Sequence, residues 1–180
     1  KEEINSFSEK GHPIIGICNG FQVLVKNGLL PGFDSRQTVA LSFNDSGKFE
    51  DRWVYLKIED SISPFLKDIP PLLYLPVAHS EGKFIPQDKK VLNRLKKNRQ
   101  ILFRYVDKEG NAGDYPINPN GSVESIAGIC NKKGNVLGMM PHPERFLSFL
   151  HHPRWTREKR LGGVGDGLLL FKNIIKYCKS

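Results

Sequence analysis

Pro13-Ile14-Ile15-Gly16-Ile17-Cys18-Asn19-Gly20-Phe21-Gln22 runs from a nearly all-apolar, β-branched segment into a glycine-flanked cysteine. An uninterrupted apolar run of this length reads as a strand buried on both faces, as in a parallel sheet. Directly after it, Phe21, Val23, Leu24 and Val25 predict a helix ending near Gly28. Upstream, Ile4 and Phe7 stand at helical spacing in a segment that stops at Gly11, a residue suited to helix termini. Helix, strand and helix joined by tight links are the grammar of an α/β fold.

Working outward, the middle of the chain reads as more sheet. Strands are predicted over 38–43, 53–58, 72–77 and 101–106, separated by turn clusters such as Asn44-Asp45-Ser46-Gly47. A charged helix is expected over 88–97 and a hairpin turn at Asp107-Lys108-Glu109-Gly110-Asn111. Asn118-Pro119-Asn120-Gly121 reads as a loop. Residues 126–130 and 136–140 form a hairpin across Asn131-Lys132-Lys133-Gly134-Asn135. A last helix over 167–178 is expected to present Leu168, Phe171, Ile175 and Cys178 as its apolar stripe. There is no internal repeat, low-complexity tract or linker, so residues 1–180 are expected to form one domain.

Composition narrows the function classes. The 180 residues are 39% apolar, which supports a real core, and no apolar run approaches the roughly 18 residues that span a bilayer. The opening Lys1-Glu2-Glu3-Ile4-Asn5 has no hydrophobic signal core, so a soluble, cytoplasmic protein is expected. The three cysteines, Cys18, Cys130 and Cys178, are too few and too scattered for a disulfide framework or a zinc site. The net charge of +8 asks for a partner or a function.

Gly16-Ile17-Cys18-Asn19-Gly20 has the pattern of a nucleophile elbow, Gly-x-nucleophile-x-Gly, with cysteine as the nucleophile. Glycines suit such a turn because side chains at its flanks would collide with neighbouring elements. The sulfur would stand at the start of a helix, where the dipole and free N–H groups favour thiolate. The Asn19 backbone N–H lies where it can stabilise an oxyanion. A small buried cysteine in a strand-to-helix turn is the competing reading of the same five residues.

The second feature is Met139-Met140-Pro141-His142-Pro143-Glu144-Arg145, broken twice by proline and so not helix interior. In an extended segment His142 and Glu144 point to one side, and a carboxylate beside an imidazole fixes its tautomer and stabilises the imidazolium. A solvated loop carrying an incidental His and Glu is the alternative. Cys18 and His142 are 124 positions apart, so their meeting is not readable from the sequence.

Together, Gly16-Ile17-Cys18-Asn19-Gly20-Phe21-Gln22 and Pro141-His142-Pro143-Glu144-Arg145 resemble the class I (triad-type) glutamine amidotransferases. The narrower resemblance is to the glutaminase subunits of phosphoribosylformylglycinamidine synthase. It is carried by residues 44–54, by Pro76-Val77-Ala78-His79-Ser80-Glu81-Gly82, by residues 115–122 and by Ile126-Ala127-Gly128-Ile129-Cys130-Asn131. The resemblance implies a flavodoxin-like α/β fold, three-layered with a mostly parallel sheet. It also implies that a family βα region, with a Gly-Gly loop supplying a second oxyanion donor, precedes Lys1 and is missing from this chain.

The chemistry it implies is hydrolysis of L-glutamine through a thioester on Cys18, with His142 as general acid and base and Glu144 orienting it. Asn19 N–H is the oxyanion donor. Gln22 is either a substrate contact or a polar residue facing the site, and His79 and Ser80 either line the glutamine pocket or cap a loop. Arg52 and Arg145 are assigned to structure or subunit contact. Cys130 and Cys178 are assigned to packing.

The resemblance implies a large ATP-dependent synthetase as partner, which receives the ammonia in purine biosynthesis. It leaves open whether a third small subunit joins them. ATP and magnesium are expected on that partner, with no metal or cofactor in this chain. Gly162-Gly163-Val164-Gly165 lacks the Lys-Ser/Thr of a phosphate-cradling loop. The basic segment 150–167 reads as a partner contact or a lineage variation. Another class I amidotransferase is the near alternative. From another class stands a nucleic-acid-binding module, prompted by Lys89, Lys90, Arg94, Lys96, Lys97 and Arg99 and by a second basic run over 154–160. The first run lacks the interleaved aromatics that stack on bases.

Overall fold

A computed structural model of the chain describes residues 2–33, 36–157 and 163–179. Helix α1 (Glu2–Glu9) ends before Gly11, whose φ of +86° suits glycine, and leads into β1 (Ile14–Ile17) and α2 (Asn19–Lys26). Next come β2 (Val39–Phe43), β3 (Glu50–Ile58), β4 (Leu72–His79) and β5 (Glu81–Pro86). Helix α3 (Lys89–Lys97) is capped by Asp88, whose carboxylate accepts from Val91 N at 2.8 Å. The chain finishes with β6 (Ile101–Val106), β7 (Ile126–Cys130), β8 (Val136–Met139) and α4 (Asp166–Cys178).

Six strands form one sheet in the order β1-β8-β7-β6-β3-β4, and β2 pairs with β5 in a separate antiparallel ribbon. Side chains of the large sheet divide between two cores. Ala127, Cys130, Leu137 and Met139 enter one with Leu170 of α4, whereas Ile126, Ile129 and Val136 enter the other with α2 and Leu95 of α3. This is the three-layer α/β arrangement the sequence predicts, with one correction. Among the described strands only β1 and β8 run parallel, and the remaining four pairings of the large sheet are antiparallel. The connections explain this: the β7–β8 link is a five-residue hairpin turn, and a short link returns the chain antiparallel. The sheet is therefore mixed, not mostly parallel.

Two glycines let α2 lie close to the sheet. Gly16 of β1 pairs with Gly138 of β8. A Cβ on Gly16 would stand 2.7 Å from Gly20 O and 2.5 Å from Leu24 Cδ1, and one on Gly138 would enter the Phe21 ring. In the space left, Phe21, Leu24 and Val25 are buried, each large side chain contributing about 2–3 kcal/mol.

Elsewhere the structure adjusts the expectations. The strand β5 was not anticipated. The turn at Asp107–Asn111 forms, with Asp107 N donating to Asn111 O at 2.8 Å, but it opens a long excursion before β7 rather than closing a hairpin. On α4 the inward row is Leu170, Ile174 and Tyr177; of the expected stripe, Leu168 and Phe171 are half-buried while Ile175, 54% exposed, and Cys178 face outward. That helix is apolar on most sides (Leu168, Leu169, Leu170, Phe171), and periodicity selects no face. Cys130 is buried as expected. Part of the basic segment, residues 158–162, lies outside the described residues, as does Gly162 of the glycine run. Among the described residues no helix is long and apolar enough to cross a membrane.

Candidate active site

Cys18 sits between β1 and α2 with φ +51° and ψ −106°, a conformation that non-glycine residues rarely adopt. It is a strained elbow of the kind that presents a nucleophile above a sheet. The bend is held from both sides: Cys18 N donates to Met139 O at 2.8 Å, and Cys18 O accepts from Gln22 N at 3.2 Å to start the helix.

The parallel β1–β8 pair supplies the second half of the site. Ile17 and Met139 are partners in register, so the chain leaves β1 at Cys18 beside the point where it leaves β8 toward His142. Pro143–Arg145 then form a single 3-10 turn rather than the extended segment expected, because Pro143 fixes a helical φ at its first position. The turn still brings the carboxylate to the ring, with His142 Nδ1 2.6 Å from Glu144 Oε1. His142 is buried and its Nε2 has no protein partner. Arg145 Nε stands 3.7 Å from the Glu144 carboxylate. Behind the turn, α4 begins so close that a Cβ on Gly167 would overlap Pro143 O.

The far edge of the sheet also reaches the site. His142 N donates to Pro76 O at 2.8 Å, and Cys18 Sγ lies 3.9 Å from Ala78 O. Strand β4 is the last in the sheet order and β1 the first, so the sheet curls until its two edges meet around Cys18 and His142.

Burial of Cys18 pushes its thiol pKa up; the Asn19 backbone N–H and the Arg145 guanidinium pull it down, and Glu144 pushes it up again. Desolvation thus outweighs the helix start, and the expected thiolate-favouring elbow is corrected: the resting group is a thiol that needs a base. Alkylation of Cys18 by iodoacetamide is therefore expected to accelerate with pH beyond the ordinary thiol range. A plateau already reached at neutral pH, read by mass spectrometry of the labelled peptide, would contradict this.

The structure gathers Cys18, Asn19, His142 and Glu144 at one end of the sheet. Gln22 lies one turn along α2, where its amide donates to Glu81 O at 3.1 Å. His79 is buried at the end of β4, whereas Ser80 is exposed and gives its carbonyl to Asn44 N. Arg52 pairs with Glu50 and donates to the Tyr115 hydroxyl at 2.7 Å. Asn44 and Gly82, which hold His79, have no separate role in the sequence reading; Asn44 stands in a turn cluster and looks like turn chemistry alone. Half of the basic run on and after α3 is engaged within the chain: Lys96 pairs with Glu124 at 2.5 Å, Arg99 pairs with Asp60, and Arg94 lies 4.1 Å from the Phe33 ring centroid. That leaves fewer free cations on this face for a nucleic acid than the run suggests.

Residues 1–178 match the CobB/CobQ-like glutamine amidotransferase domain. The chain belongs to that family. Among curated relatives, this amidotransferase chain is 46% identical to the phosphoribosylformylglycinamidine synthase subunit PurQ of Archaeoglobus fulgidus, over 100% of its own length and 68% of the relative's. It is also 46% identical to the PurQ subunit of Dehalococcoides mccartyi, over 99% of its length and 69% of that protein. Its fold superposes on a chain of the PurLQS structure from Thermotoga maritima with a TM-score of 0.72 and 35% identity, covering 98% of this chain and 66% of that one. The amidotransferase chain thus spans about two thirds of the length of the proteins it matches.

Proposed function

We propose that this chain is the glutaminase component of phosphoribosylformylglycinamidine synthase. The observation that carries the reading is the junction of a strained Cys18 elbow with a His142–Glu144 pair at adjacent ends of the parallel strands β1 and β8. The identity to PurQ subunits along the whole chain supports the choice of acceptor reaction.

His142 Nε2 takes the proton of the Cys18 thiol, and the thiolate attacks the side-chain amide carbon of glutamine. Glu144 accepts from His142 Nδ1–H, which leaves Nε2 unprotonated to act as base and then stabilises the imidazolium. The Asn19 N–H donates to the oxyanion of the tetrahedral adduct. His142 returns the proton to the departing nitrogen, ammonia leaves, and a γ-glutamyl thioester remains on Cys18. Water, deprotonated by His142, then releases glutamate and restores the thiol.

Ammonia released into water is lost as ammonium, so the reaction calls for a partner that consumes it. That partner is an ATP-dependent synthetase of the PurL kind, with ATP and magnesium bound there, PurS as a third subunit, and the cytoplasm as the site of the pathway. The PurLQS assembly of the Thermotoga maritima relative supports this composition. The test is to add the protein to such a synthetase and follow formylglycinamidine ribonucleotide. Glutamine-dependent product is expected, and product formed from ammonium but never from glutamine would refute the assignment.

A further inference from the structure

The corner between β4 and β5, residues 79–82, has each of its four carbonyls taken by a residue at least 35 positions away. His79 O accepts from Asn44 Nδ2 at 2.8 Å, and Ser80 O accepts from Asn44 N at 2.8 Å. Glu81 O accepts from Gln22 Nε2 at 3.1 Å, and Gly82 O accepts from Asn120 Nδ2 at 2.8 Å. Ser80 and Glu81 are exposed, where water serves a carbonyl equally well; protein donors fix them instead.

The two asparagines are buried, at 3% exposure for Asn44 and 0% for Asn120. Their surroundings orient both amides. Asn44 Nδ2 also donates to Lys48 O at 2.9 Å, and Asn120 Oδ1 accepts from Ser122 N at 3.1 Å. Asp45 N donates to Asn120 O at 3.2 Å, so the loops 44–48 and 118–122 brace one another behind the corner.

The corner continues directly from the part of β4 that borders the site. There Pro76 O accepts from His142 N at 2.8 Å, and Ala78 O lies 3.9 Å from Cys18 Sγ. Carbonyls alternate in side along a strand, so His79 O, turned in to Asn44, points away from the edge that meets Cys18. Peptide planarity then aims the Ser80 N–H toward that edge. A substrate with its amide carbon at Cys18 Sγ lies beside this corner.

We propose that Asn44 and Asn120 are positioning residues for glutamine: their buried amides hold residues 79–82 in the orientation that presents this backbone to a substrate on Cys18. They act through the corner and not through the Cys18–His142 pair, so they set how well glutamine is held and leave the chemical steps alone. This rests on the glutaminase reading.

Asn44→Asp and Asn120→Asp keep the shape of each side chain but replace the donating nitrogen by an oxygen that repels the carbonyl. With the synthetase present, each is expected to raise the KM for glutamine about tenfold or more while kcat stays within about threefold. Asn44→Ala and Asn120→Ala, which remove the donor without adding charge, are expected to show the same split. All are assayed below their melting temperatures, read by circular dichroism. Asn173→Asp is the control for stability alone, since Asn173 Nδ2 donates to two carbonyls in the same way, Phe65 O at 3.0 Å and Lys67 O at 2.6 Å, on the α4 side. It is expected to lower the melting temperature and to leave KM within about twofold. A wild-type KM in the Asn44 and Asn120 variants, a loss confined to kcat, or an equal rise of KM in Asn173→Asp would overturn the proposal and leave the glutaminase reading standing. A wild-type protein that hydrolyses no glutamine with its synthetase would overturn both.

Discussion

Cys18→Ala is expected to lower glutamine hydrolysis by about four orders of magnitude or more, while synthesis from added ammonium by the protein and its synthetase together is preserved. The size follows from the covalent route: without the sulfur there is no thioester, and His142 is left to activate water against the unactivated amide. The variant keeps the fold, because removal of one sulfur from a half-buried elbow leaves the Cβ, the backbone conformation and the bond from residue 18 N to Met139 O in place. Glutamate release and product from ammonium, measured on one preparation, separate a lost nucleophile from a lost assembly. Glutamine hydrolysis that survives Cys18→Ala would remove the sulfur from the mechanism.

Gly16→Val is expected to destabilise the protein by about 4 kcal/mol or more, and thermal denaturation followed by circular dichroism reads it. Overpacking of a core ordinarily costs about 1–3 kcal/mol, because side chains can shift. Here one of the groups met is the Gly20 carbonyl, 2.7 Å from even a single added carbon, and that carbonyl belongs to the first turn of α2. Relief requires the helix to lift from the sheet, and this exposes Phe21 and Leu24 and opens the elbow at Cys18. A Gly16→Val protein with wild-type melting would mean that α2 is not pinned by that glycine.

What the sequence disclosed was whatever local geometry controls. Glycines two residues either side of Cys18 announced the elbow, and two prolines around His142 announced a break in regular structure. The charged run over 88–97 announced a helix, and its first residue, Asp88, turned out to be the cap. The meeting of Cys18 with His142 was not legible, since it depends on pairing β1 with β8 across most of the chain. The β4 carbonyls at the site were equally hidden, because they arrive only when the sheet curls on itself. Strand β5 is not legible because Glu81, Gly82 and Lys83 carry no apolar alternation, although its backbone completes a ribbon with β2. The thiol's raised pKa was missed for a related reason: the helix start is visible in sequence, whereas desolvation comes from residues distant in the chain.

The parallel pairing of β1 with β8 has a consequence for the order in which the molecule is assembled. Joining β7 to β8 closes a loop of five residues, whereas joining β1 to β8 closes one of about 120, and the difference in chain entropy is about 3 kcal/mol. The hairpins are thus favoured to form first and the β1–β8 seam late. Nucleophile and base lie on opposite sides of that seam. Until it closes, Cys18 is an ordinary cysteine and His142 an ordinary histidine, so an incompletely folded chain leaves glutamine untouched.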